Sequence, residues 1–67
     1  MIFPKQVSAA RALIGWSQPD LAREAGLSVR TIKYFEAGQY ASDRTVKAIR
    51  AAFSGRVVFS KRGVSLV

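Results

Sequence analysis

Sixty-seven residues suffice for one compact domain, and with no Cys and no His the chain has neither a disulfide nor the usual nitrogen and sulfur ligands of a structural zinc. The same absences remove the common nucleophile and general base, and the four acids are scattered rather than paired, so enzymatic activity, a metal and a cofactor are all unexpected. Eleven Lys and Arg against four Asp and Glu give a net charge of +7, and residues 28–67 carry +6 of it, with eight bases against Glu36 and Asp43; that half is suited to a polyanion, either nucleic acid or an anionic membrane surface.

From Pro4 onward, Val7, Ala10 and Ile14, with Leu13 beside them, form the apolar stripe of a first helix, and Gly15 interrupts it. Ser17 is placed to cap a second helix, in which Leu21, Ala22 and Ala25 face inward and Asp20 lies where a carboxylate favours the positive helix end. Gly26 is the expected left-handed stop. Ser28 then caps a third helix, predicted over residues 28–37, with Ile32, Phe35 and Glu36 on one side and Gly38 at its end. Only Gly26, Leu27 and Ser28 separate these two short helices, so they must cross steeply. Ser42 caps a fourth helix whose Val46, Ile49 and Phe53 point to the core, and Gly55 stops it.

The tail changes period. Val57, Val58 and Phe59, then Val64, Leu66 and Val67, flank Ser60-Lys61-Arg62-Gly63, the pattern of a short β-hairpin with Gly63 at positive φ. A lone hairpin is barely stable, so it either pairs with the same element of a second subunit or packs on its own helices. The expected organisation is a helical domain over residues 1–55 and a C-terminal β element over residues 56–67 serving dimerisation through Val57, Val58, Phe59, Val64 and Leu66. A core this small gains from self-association.

With Ile32, Phe35 and Glu36 turned inward, the third helix turns Arg30, Lys33, Tyr34 and its start at Ser28 outward. Arg is suited to a guanine edge in the major groove, Lys to a base edge or a phosphate, and Tyr to a phosphate or a thymine methyl.

The run Ser17-Gln18-Pro19-Asp20-Leu21-Ala22-Arg23-Glu24-Ala25-Gly26-Leu27-Ser28, followed by Thr31-Ile32 and Glu36-Ala37-Gly38, resembles the Cro-type phage repressor family, also called XRE. Members carry S-Q-x-x-L-A-x-x-x-G-x-S, a following T-I and E-x-G, and the likeness covers roughly residues 5–54. It implies a mainly α, lambda-repressor-like helix-turn-helix domain of four to five helices with a short C-terminal β-hairpin or strand. It further implies that Val29, Arg30 and Tyr34 stand at base-facing positions, and that Ser28, Thr31, Lys33 and Arg44 touch phosphates. Gln18 matches the Gln that meets the DNA backbone and braces the recognition helix. Val29 and Pro19 depart from the family's polar residues, so Val29 is suited to a thymine methyl.

Arg11 shares the stripe of Val7 and Ile14, and Glu36 that of Ile32, so each directs a charge toward the core. Neither is tolerable there alone, which implies an Arg11–Glu36 ion pair between the first and third helices, as in similar family members. Trp16 reads as a core residue, and Tyr40 either lies on the DNA backbone or is simply exposed.

The resulting expectation is a transcriptional regulator of the repressor family that binds a palindromic site in double-stranded DNA as a homodimer, blocking or recruiting polymerase according to the position of that site. It has no small-molecule ligand and no membrane association, and is cytoplasmic and nucleoid-associated; neither a signal peptide nor a bilayer-spanning run is apparent. The alternative is a protein-binding antiactivator on the same scaffold. Such a role calls for acidic or apolar residues at positions 28–34, and that face is basic.

Overall fold

The computed structural model describes residues 4–39 and 41–67, and Tyr40 lies outside them. Four helices precede one hairpin: α1 (Pro4–Ile14), α2 (Gln18–Ala25), α3 (Val29–Glu36), α4 (Asp43–Phe53), β1 (Val57–Ser60) and β2 (Gly63–Leu66). No fifth helix occurs among the described residues, and none of the four is long and apolar enough to cross a membrane.

Serine side chains set three of the helix starts. The Ser17 hydroxyl accepts from the Asp20 backbone N–H at 3.1 Å while the Asp20 carboxylate accepts from the Ser17 N–H at 2.9 Å, a reciprocal capping box. Ser28 and Ser42 cap α3 and α4 by accepting from the N–H groups of Thr31 and Thr45. Gly26 ends α2 in the left-handed region, at φ 69° and ψ 32°. There the Leu27 N–H reaches back to the Ala22 carbonyl at 2.9 Å, closing the turn that aims α3 away from α2.

Every helix contributes to one core. Val7 and Ala10 of α1, Leu21 and Ala22 of α2, Ile32 and Phe35 of α3, and Ile49 and Phe53 of α4 are buried together. Ile14, Ala25 and Val46 pack at its margin. Leu13, although next to the apolar stripe in sequence, is an exposed large hydrophobic, because the helix rotates it past the seam with the other helices. Trp16 stacks on Phe53 at a centroid distance of 5.5 Å, with the Arg56 guanidinium 5.0 Å from its ring.

The hairpin closes on the two-residue turn Lys61-Arg62, with Ser60 paired to Gly63 and Val57 to Leu66. It folds onto its own helices rather than standing apart. Val57 belongs to the buried core, Phe59 packs edge-on to Phe53 at 5.6 Å, and the Gln6 side-chain amide donates to the Ser60 carbonyl at 2.6 Å. The residues expected at a subunit contact differ in what they already hold within the chain. Strand alternation sends Val57 and Phe59 inward, with Val64 opposite Phe59, so these three contact the chain's own core. Of the set, Val58, at 51% exposed, and Leu66, at 58%, are the exposed large hydrophobics, while Phe59 and Val64 are partly buried. Val67, which the sequence expectation left out, is more exposed than either.

Candidate nucleic-acid interface

The outward face of α3 is built by its inward one. Ile32 and Phe35 anchor the helix in the core, and 3.6-residue periodicity then places Arg30, Lys33 and Tyr34 in solvent, where all three are exposed. No carboxylate lies among them. Among the described residues, the ion-paired arginines are Arg11 with Glu36, Arg23 with Asp20 and Arg56 with Glu24, so Arg30 keeps its full positive charge.

Arg30 is nevertheless not loose. Its Nε donates to the Tyr34 hydroxyl at 3.0 Å, and its guanidinium carbon lies 5.3 Å from the centre of the Tyr34 ring. The two residues are one helical turn apart, the i, i+4 spacing that brings side chains together. Their spacing was present in the sequence; the link between them was not part of the expectation.

The remaining expected residues divide by what they already hold. Val29 is half-buried and packs against the core, so a thymine methyl would meet only part of its surface. The Ser28 hydroxyl caps α3 and lies 2.8 Å from the Thr31 hydroxyl. Lys33 and Arg44 are exposed, Arg44 one residue inside the start of α4. Gln18 turns inward: its side-chain amide donates to Glu36 Oε1 at 3.2 Å, so it braces α3 from the first turn of α2.

That bracing belongs to a larger junction. Arg11 Nε donates to Glu36 Oε2 at 2.7 Å and Nη2 to Oε1 at 2.8 Å, while Nη1 donates to the Trp16 carbonyl at 3.0 Å. The hydrogen bond to Glu36 raises the Arg11 pKa above its ordinary value, against the opposing effect of desolvation. One guanidinium thus ties α1, the α1–α2 turn and the end of α3, fixing the pose from which α3 presents its outer face.

Lys47 and Arg50, not singled out by the sequence, extend the exposed positive charge along α4 beyond Arg44. The signal for them was the basic surplus itself. No cluster of acids that could hold a metal ion occurs among the described residues.

The helix-turn-helix family model matches residues 7–56, which run from within α1 to just past the end of α4. The chain belongs to that family. This helix-turn-helix protein is of the Cro/XRE type, and it is a DNA-binding regulator of that class. Its matched region includes the capped α2, the Gly26 turn and the whole of α3, and stops before the hairpin. Among curated proteins, none matches.

Proposed function

We propose that this protein is a transcriptional repressor that binds a palindromic operator as a homodimer, each protomer laying α3 in the major groove. The observation that carries the reading is the outer face of α3: Arg30, Lys33 and Tyr34 are exposed and unneutralised, on a helix held from behind by Ile32, Phe35 and the Arg11–Glu36 pair. Arg30 supplies base recognition. Lys33 and Arg44 bind phosphate, assisted by Ser28 and Thr31 at the α3 start.

Dimerisation is supported by the hairpin. Its two-stranded sheet leaves outer edges without a neighbouring strand among the described residues, and exposed apolar side chains lie on it: Val58 on the face turned from the core, Leu66 and Val67 at the end of the chain's second strand. To read successive major grooves of a palindromic site, such a dimer has to hold its two copies of α3 about 34–36 Å apart, one turn of B-form DNA. An operator overlapping a promoter would then be closed to polymerase by occupancy alone, in the cytoplasm where the chromosome is exposed.

The test is a gel shift on the DNA upstream of the protein's own gene, with sedimentation of the complex. The expected result is one retarded species holding two chains per duplex. No retardation of any duplex at low ionic strength contradicts the reading.

A further inference from the structure

We infer that Tyr34 is a positioning residue for Arg30, and that the pair makes α3 selective for guanine at one position of its site. The inference rests on the major-groove reading above and goes beyond it by naming the base and the device that selects it. Tyr34, expected from the resemblance to contact a base directly, acts instead through its neighbour.

The argument starts from donors. A guanidinium has five N–H groups in a rigid plane. The Tyr34 hydroxyl takes the one on Nε, at 3.0 Å, and the phenol ring lies against the guanidinium, 5.3 Å from centroid to carbon. What remains free is the far edge, where Nη1 and Nη2 each direct an N–H outward, side by side. Guanine offers two adjacent acceptors, O6 and N7, in the major groove, and that edge fits both. Adenine sets the N6 amino donor beside N7, so one N–H would face another donor. Thymine has one acceptor and a methyl group, and cytosine presents a donor.

Tyr34 also differs from the partners of the other held arginines. Arg11, Arg23 and Arg56 are met by carboxylates, which consume charge as well as donors. A hydroxyl fixes direction and leaves the charge for DNA. Holding an exposed arginine before binding reduces the rotamer freedom lost on binding, and the benefit is confined to a partner that matches the held geometry. A point charge such as Lys33 holds a phosphate without such alignment, and a phosphate on the same guanidinium edge would give no base preference, which the selection below reads out.

The experiment selects bound sequences from a randomised duplex pool with wild-type protein, Tyr34→Phe and Arg30→Ala, and measures the affinity of each for the unselected pool. Wild type should enrich guanine at a defined position. Arg30→Ala should abolish that preference, and Tyr34→Phe, which keeps the ring and loses only the hydroxyl, should lower the guanine-to-adenine ratio there by about two- to tenfold. Preferences at other positions and thermal melting should hardly change in Tyr34→Phe, and its loss of affinity should fall on duplexes that carry guanine at that position. A wild-type guanine ratio in Tyr34→Phe, or an equal loss on every duplex, overturns the pairing while leaving the DNA-binding reading intact. A wild-type protein that binds no pool at low ionic strength overturns both.

Discussion

Arg11 and Glu36 meet in a two-pronged ion pair, 2.7 Å and 2.8 Å, that joins the first helix to the last residue of the third. A carboxylate at a helix C-terminus opposes the helix dipole, so Glu36 is unfavourable there by itself. Arg11 and the Gln18 amide compensate that charge, and in doing so they fix how far α3 is rolled toward solvent.

Removing either partner therefore leaves the other charge stranded. With the two side chains only 16% and 10% exposed, Arg11→Ala or Glu36→Ala should destabilise the fold by about 2–4 kcal/mol in urea titrations. The double replacement Arg11→Met with Glu36→Leu should recover most of that loss, because it strands no charge. Single variants that both cost under about 0.5 kcal/mol would show that the pair is not a structural tie.

How much of this was legible in the residues depends on range. Ser17, Ser28 and Ser42 were readable as caps, and Gly26 as a stop, because caps and turns are decided within four residues by local hydrogen bonds and φ. The buried stripes of α1, α2, α3 and α4 followed from helical period. The hairpin was legible as an element and not as a neighbour: alternation says that Val57 and Val58 face opposite ways, and only the packed helices decide which face is core. In the site, exposure of Arg30, Lys33 and Tyr34 followed from Ile32 and Phe35. The Arg30–Tyr34 bond and the inward turn of Gln18 depend on side-chain torsions that spacing permits but does not dictate.

Asp20 couples the start of α2 to pH. Its carboxylate is held below the ordinary value, first by hydrogen bonding to the Ser17 backbone, then by the Ser17 hydroxyl and by Arg23. A depressed folded-state pKa gives a stabilisation that is complete above the unfolded value, about 3.9, and is lost as pH falls through the lower folded value. Melting temperature should thus fall with acidification in that acid window, and Asp20→Asn should flatten this limb. An identical acid limb in the variant would assign the effect elsewhere.

Lys33 is exposed and unpaired among the described residues, as a phosphate ligand should be. Lys33→Ala should weaken binding to all duplexes alike and reduce the slope of log affinity against log salt by about one. Sequence-dependent loss with an unchanged slope would make Lys33 a base reader instead.

The hairpin surface separates two consequences that sequence had merged. Val57→Ala deletes two methyl groups from a side chain only 6% exposed and should destabilise each protomer by about 2 kcal/mol. Val58→Lys with Leu66→Lys should leave the fold intact and yield monomers in sedimentation, with weakened operator binding. A stable dimer in the lysine variant would move the interface off the hairpin.

The most direct measurement is a titration of the isotopically labelled protein with duplex DNA, following each backbone amide by NMR. The account predicts that Ser28 to Tyr34 shift or broaden first and most strongly, with Arg44 among the others, while the α1 residues Ser8, Ala9 and Ala12 stay unmoved. Perturbation centred on α1, with the α3 amides unchanged at saturation, would contradict the claim that the outer face of α3 is what meets DNA.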